Sequence, residues 1–545
     1  MSVIFGSVPP AIPARLAIKP THFQLMFGRR QLHKLGQCLR KRNLPQRCFA
    51  TQTKAVPDDR LLAHTWLTRT PEEITPDDVL SSLPSVPPSL AGPDYIPILL
   101  LTPSLAQWAD PTNSFFEQCI NRLYRRAPTS DPPEPVHAIV AIVDKLPDTP
   151  SALKDITDNG TVAESEGISL LLTRTANIQG RVAAPRRIRS SDTEESALIF
   201  SFQTAVSHGP DNATPWRAVH EVGLRLANTL FINGNKNTLF GARWSYNPSS
   251  SSFTLGRSIE LSRCQIASNV SSVHNSLSLP LHPVGQRREV ISSMGNILRQ
   301  LAKHPNSTSK DPMPASSELE KELPRYIEEH NIADRRVSVW ALVESPSSNS
   351  QFEPDSFHAN LVGSVRAGGK LHRVMSGGGG WGKKQGLLSL DYETRFLRPY
   401  ESNEFTTLDS LFAPRSTGTT QAVSPPFEEN LLVDDLSSLS QVARVGDYVQ
   451  FYVSVEPDHA QNGRPELLSS REGAISYQFG VVFDNEKAAD PAKTGALPKD
   501  LRAQPNFFGA LSDKAMTYSQ PIVATTLEAN TKLDIPGCRV GLVVT

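Results

Sequence analysis

The sequence predicts a mixed α/β (α+β) chain. An N-terminal, partly parallel sheet domain with helices is followed by a second α+β domain with a strand-rich C-terminal third. Three observations predict this. A buried-strand run, a helical stripe and a second buried-strand run succeed one another between residues 96 and 143, the order of a βαβ unit. Apolar residues recur at helical spacing through the middle of the chain. Toward the C-terminus, apolar and polar residues alternate with the period of a strand. With 545 residues, 39% of them hydrophobic and 20% charged, the chain is long enough for two or three domains that each bury a core.

Taken in order, the chain begins with a segment unlike the rest. Met1 to Pro57 holds no Asp or Glu, while Arg15, Lys19, Arg29, Arg30, Lys34, Arg40, Lys41, Arg42, Arg47 and Lys54 supply ten positive charges. A basic, acid-free stretch without a long apolar core is the pattern of a mitochondrial presequence, not of a secretory signal. The competing reading is a basic arm that binds nucleic acid. Phe23 to Leu39 has the make-up of a basic amphipathic helix, and Arg47-Cys48-Phe49-Ala50 resembles a matrix-protease cleavage site. Residues 1–49 are therefore expected to be a presequence cleaved near Phe49. Its removal takes nine of the 55 basic residues and leaves 46 against 55 acidic ones, a net charge of −9. That balance excludes a protein whose whole surface binds a polyanion; any such site is local. No run reaches the roughly 18–20 apolar residues needed to span a bilayer. Cys119, Cys264 and Cys538 lie far apart, with no CxxC or metal spacing, and read as reduced structural thiols.

Residues 50–89 form a proline-rich lead-in, with one short helix from Thr75 as N-cap and Pro76 at N1. The first domain is placed at 90–280. Its elements are a buried strand at Ile96–Thr102, a helix from Asp110 to Arg126 with a Phe115, Phe116, Cys119, Ile120, Leu123 stripe, and a buried strand at Val136–Val143. Strands at Ile168–Leu172 and Ala197–Phe202 flank a basic loop, Ala183–Arg189. A helix is expected over Pro215–Leu230, and an antiparallel hairpin around the Asn247-Pro248-Ser249 turn.

The second domain, 281–545, starts with Val290, Ile291, Met294, Ile297, Leu298 and Leu301, a stripe that predicts a helix with Met294 in the core. Ser317-Glu318-Leu319-Glu320 matches a capping box for a helix to His330. A strand at Val337–Val343 comes next, then a helix over Phe357–Met375 broken at Gly368 and Gly369. Strands are expected at Gly386–Leu390, Asp447–Val455, Ile475–Phe483 and Val540–Val544, with Val449, Phe451, Val453 and Val455 on one face.

The chemistry-bearing stretch is the glycine-rich loop 376–386. Gly377, Gly378, Gly379, Gly380 and Gly382, five glycines in six positions, free the backbone for positive φ and for an anion-binding concavity of N–H groups. Trp381 offers a flat face for stacking, and Lys383 and Lys384 follow it. Between Asp355 and Asp391 there is no acidic residue, whereas Arg366, Lys370 and Arg373 add positive charge. Gly377 to Lys384 spells G-x-x-x-x-G-K-K, but Lys384 stands where a P-loop needs Ser or Thr for Mg²⁺, and Lys370–Val374 reads as a poor buried strand. The candidate is a looser phosphate or anion site made by Gly377, Gly378, Gly379, Gly380, Trp381, Gly382, Lys383, Lys384, Arg373, Lys370 and Arg366; a loop whose glycines serve packing is the rival. Asp391 with Glu393, the pair Asp434 and Asp435, and His220 and His372 are weaker candidates for acid–base or metal work, and no nucleophile–base pair can be assigned.

The function expected from these residues is that of a soluble mitochondrial matrix protein. It would be a non-catalytic binding or assembly factor, in mitochondrial gene expression or respiratory assembly, with the glycine-rich basic loop as its contact surface. The alternative is an enzyme or binding protein for a phosphate-bearing ligand, a nucleotide or RNA. Its partner is thus a phosphate-bearing ligand or a mitochondrial protein or RNA, and the sequence names no cofactor and no metal.

Overall fold

The structure, a computed structural model, describes residues 61–84, 86–87, 90, 94–110, 112–124, 134–148, 164–183, 195–205, 217–234, 237–304, 310–332, 337–346, 357–377, 386–396, 405–413, 441–454, 474–483, 500–522 and 528–545. The expected presequence 1–49, residues 184–189 of the basic loop, Asp434, Asp435 and Val455 lie outside the described residues.

Runs that are apolar on both faces form the centre of a long sheet, because only a strand covered on two sides buries every residue. The chain supplies β1 (Leu62–Thr68), β2 (Tyr95–Leu101), β3 (Val136–Ile142), β4 (Glu164–Arg174), β5 (Ala197–Ala205), β6 (Arg217–Arg225), β7 (Leu239–Asn247), β8 (Ser252–Val270) and β9 (Val273–Ser278). β2 and β3 run parallel, with Ile98 opposite Ile139, and α1 (Ser114–Leu123) lies between them in the chain, so the expected βαβ unit is present. The Asn113 side chain caps α1 by accepting from the Phe115 amide, and the expected five-residue stripe is buried. The hairpin of β7 and β8 stands at the expected turn.

Further along come β10 (Leu281–Met294), β11 (Ile297–Ala302), β12 (Val339–Glu344), β13 (Lys370–Gly377), β14 (Leu388–Leu390), β15 (Tyr448–Ser454), β16 (Ile475–Val481), β17 (Leu501–Pro505), β18 (Phe507–Ser512), β19 (Met516–Pro521), β20 (Glu528–Leu533) and β21 (Arg539–Val544), besides four short unlabelled strands among the described residues. The long sheet runs β17-β1-β4-β2-β3-β7-β8-β5-β6-β19-β20, and β9-β21-β16-β18 form a smaller one. Strands from beyond residue 500 thus complete sheets begun by the first 280 residues, and Val56–Thr545 gather into one unit. Ile98, Phe200, Val222, Phe479, Phe508 and Val540 belong to one core shared by the two sheets, while α1 packs with Leu99, Val140 and Trp244 in another. The class is mixed α+β with sheets dominating.

β10, β15, β12, β13, β14 and β11 close into a ring, since β11 pairs back on β10, and every neighbouring pair is antiparallel. Closure removes the sheet's free edges. Val290, Leu298, Val339, Ala341, Val449 and Phe451 form its core, and the alternation in β15 sends Val449, Phe451 and Val453 there as expected. The helix α2 (Ser317–Glu329) begins one residue past its N-cap, Ser316, and packs against β10.

Four expectations are corrected. Residues 217–225 are not a helix but β6: Ala218, His220, Val222 and Leu224 are buried at period two, and β5 and β19 flank the strand. The stripe at 290–301 is not a helix but the β10–β11 hairpin, turned at Gly295 (φ +59°) and Asn296, a two-residue connection favouring positive φ. Met294, next to that turn, is 59% exposed and is no core filler. The helix α3 (Phe357–Arg366) stops earlier than expected, Gly368 taking φ +102°, and Lys370–Gly377 is a strand in the barrel wall. Within the lead-in, Leu62–Thr68 forms β1, held between β4 and β17.

Candidate functional site

The glycine-rich stretch connects two neighbouring antiparallel strands of the barrel, β13 and β14, and is therefore a hairpin loop. Gly378, Gly379, Gly380, Trp381, Gly382, Lys383 and Lys384 lie outside the described residues; both ends of the loop are described. Gly377 pairs with Leu388, and a Cβ there would meet Leu388 Cδ2 at 2.2 Å and Leu387 O at 2.8 Å. Gly386 holds φ +83°, and a Cβ on it would stand 2.8 Å from Pro314 Cβ. Its carbonyl accepts from the Ser316 amide at the start of α2 (3.3 Å). The two end glycines are thus required by close packing and turn geometry, which seats the loop on the barrel.

The strand direction then disperses the expected cations. Lys370 and Gly377 are at opposite ends of β13, and seven steps of about 3.3 Å separate them by roughly 23 Å. Arg366, at the end of α3, donates to the Asn275 side-chain oxygen (3.2 Å) on β9. Arg373 pairs in register with Trp340 of β12; its guanidinium stands 6.0 Å from the indole centre and 3.8 Å from Asp534 Oδ2, and it donates to Ser338 Oγ (3.1 Å). Arg366, Lys370 and Arg373 therefore face three different surroundings.

The carboxylates that attracted attention beyond the loop are held in ion pairs. Lys532 of β20 donates to Asp391 Oδ2 (2.6 Å) and stands 3.0 Å from Glu393 Oε2, while Arg225 of β6 bonds Glu393 Oε1 (2.8 Å). Burial works against the Lys532 charge, but Glu393 and Asp391 outweigh it and hold the ammonium above the usual lysine range. Asp534 accepts from Trp340 Nε1 (2.6 Å); burial raises its carboxyl above the usual range, against that hydrogen bond and the charges of Lys532 and Arg373. Trp340, Lys532 and Asp534 carry no sequence signal of this role, because their meeting depends on β20 packing beside β13, more than 150 residues away in the chain.

Both candidate histidines are structural. His372 Nδ1 lies 2.6 Å from the Asp391 carbonyl, which only accepts, so Nδ1 carries the hydrogen and Nε2 keeps a buried lone pair with no partner among the described residues. Burial lowers its pKa to about 4, so the ring is neutral at physiological pH. His220, 3.5 Å from the Tyr518 hydroxyl, is lowered to about 4 by the same cause. Cys119, Cys264 and Cys538 are buried and free, with thiols pushed up to about 12 chiefly by burial, which leaves them inert. Among the described residues no group of three His, Cys, Asp or Glu could hold a metal ion. An open cleft of about 270 Å³ lies instead at the β1–β17 edge, lined by Trp66, Asp78, Ser81, Ser82, Leu501 and Ala503. Asp78 is engaged there in capping the helix that follows Thr75. No helix of the described residues is long and apolar enough to cross a membrane.

The chain matches no protein-family model, no curated protein and no solved structure.

Proposed function

We propose that this chain is a soluble protein of the mitochondrial matrix that acts as a binding or assembly factor, in mitochondrial gene expression or respiratory assembly, and meets its partner through the loop 377–386. The observation that carries the reading is the seating of that loop. Its two ends are packed against Leu388 and Pro314, and the acid–base candidates nearby, Asp391, Glu393 and His372, are already engaged in ion pairs and a backbone hydrogen bond. Lys383, Lys384 and Trp381 are left as the groups with which a partner is met, in a window free of acidic residues on a chain that is otherwise net negative after presequence removal. Such a local basic loop attracts an acidic protein segment or an RNA.

Two measurements test the reading. The radiolabelled chain, offered to isolated mitochondria, is expected to be imported and shortened near Phe49; a chain that stays outside and full-length removes the compartment. Lys383→Glu with Lys384→Glu is expected to lose the partners that wild type retains from mitochondrial extract, with unchanged melting. If the variant instead abolishes saturable binding of a free nucleotide, the phosphate-ligand alternative takes its place.

A further inference from the structure

At the end of β13 far from the glycine-rich loop, Lys370 lies within the electrostatic reach of two other cations, Arg395 and Arg444. The register sets Lys370, Val343 and Val449 side by side across β13, β12 and β15. β15 is preceded directly by the turn from Arg444 to Asp447, closed by the Asp447 amide on the Arg444 carbonyl (3.1 Å) and by the Arg444 amide on Asp447 Oδ2 (2.8 Å). The Asp447 carboxylate is thus turned onto its own loop. Arg395 arrives from the segment after β14, anchored on Asn530 Oδ1 (2.6 Å), Ser519 Oγ (3.0 Å) and the Glu528 carboxylate. Lys370 presents surface to solvent, and so does Arg444. Among the described residues neither the Lys370 ammonium nor the Arg444 guanidinium makes a hydrogen bond or an ion pair. Burial around its ammonium, and then the charges of Arg395 and Arg444, hold Lys370 below the usual lysine range. The charges that act on it are both positive.

We propose that Lys370 and Arg444, backed by Arg395, form a site for a phosphate group at this end of the barrel. The fold keeps like charges together at a cost in repulsion, which an oxyanion between them reverses. A lysine point charge beside a planar guanidinium fork is a pairing suited to phosphate oxygens. Arg395, already matched by Glu528, contributes field more than a direct bond. The site is distinct from the glycine-rich loop, because β13 runs roughly 23 Å between them at about 3.3 Å per residue.

The test is calorimetric titration of the full chain with inorganic phosphate at fixed ionic strength, comparing wild type with Lys370→Gln, Arg444→Gln and the Lys383→Gln, Lys384→Gln pair. One saturable site is expected, weakened about tenfold by either Lys370→Gln or Arg444→Gln, the loss of one charge-assisted contact. The Lys383, Lys384 pair is expected to leave it unchanged. Without phosphate, Lys370→Gln and Arg444→Gln are expected to melt no lower than wild type, since each relieves repulsion. Absence of saturable phosphate binding, or binding that both single variants retain in full, overturns the proposal. Binding lost only in the Lys383, Lys384 pair overturns it too and moves the phosphate to the loop. A phosphate carried on RNA is separated from free phosphate by a parallel titration with a short oligonucleotide: affinity that falls in step with these two variants assigns the site to the RNA backbone.

Discussion

The core between the two sheets and the core of the barrel are held by different forces. Between the sheets the contacts are aromatic: Phe200 stacks on Phe479 with ring centres 5.1 Å apart and meets Phe508 edge-on at 5.5 Å, and Phe202 meets Tyr477 at 4.7 Å. The barrel has a smaller apolar interior, and charge pairs flank it along β10. Arg288 is bound to Glu318, whose side chain is 4% exposed, and Arg287 to Glu344, at 1%. Glu318 also accepts from the Gln286 amide (2.8 Å), which ties α2 to the irregular stretch of β10 around Gly285. A large apolar interface tolerates changes of charge and resists changes of volume, whereas a small closed wall depends on each buried charge keeping its partner.

The largest effects are expected from breaking each region in its own currency. Phe200→Ala should cost about 4 kcal/mol, the upper part of the range for emptying a packed aromatic site, with no dependence on salt. Glu318→Ala should cost about 3 kcal/mol because it leaves the Arg288 guanidinium buried and unpaired. Arg288→Met joined to Glu318→Leu should recover most of that loss, since an apolar pair has no charge to desolvate. Denaturant midpoints of the three variants check the ordering; a Glu318→Ala chain as stable as wild type would remove the distinction between the regions.

Titration sharpens the comparison with a smaller effect, because a buried histidine and a buried carboxyl respond to pH in opposite directions. His372 of the barrel is depressed by burial to about 4 from the ordinary histidine value of 6.5. Its contribution is therefore present above 6.5 and lost as the pH falls from there through about 4, on the order of 2–3 kcal/mol in all. His372→Asn keeps a donor for the Asp391 carbonyl and should flatten that acid limb, leaving the share that His220 adds from β6. Asp144, just after β3, is raised to about 7 by burial and then by Asp513, whose amide it also accepts (2.8 Å). That contribution is present below 3.8 and lost as the pH rises through about 7, so Asp144→Asn should stabilise the chain at pH 8 by on the order of 1–2 kcal/mol. Melting temperatures between pH 4 and 9 read both limbs.

What was legible in the sequence follows the range over which each signal acts. The βαβ unit, the β7–β8 hairpin and the inward face of β15 were legible, because local periodicity and turn residues decide them. Val290, Leu298 and Leu301 misled because a strand pair folded at Gly295 brings the same residues to one side as a helix would. β6 misled in the same way. The strands β17 to β20 went unread: Phe507–Ser512 is buried throughout, yet the strand β1 beside it lies far away in the chain. The candidate site divides similarly. Its glycines were legible as composition, and the packing at Gly377 and Gly386 gives two of them a structural reason. The separation of Lys370 from the loop was not legible, because it required knowing that residues 370–377 run straight as a strand.

The central claim is that the loop 377–386 is a contact surface. Site-specific photo-crosslinking from position 381, in the imported chain, tests it most directly. The account expects one discrete crosslinked partner, lost when Lys383 and Lys384 are changed to Glu while melting and import stay as in wild type. A chain with the crosslinker at position 381 and both lysines intact that is imported and folded yet yields no adduct, or an adduct indifferent to both lysines, would contradict it.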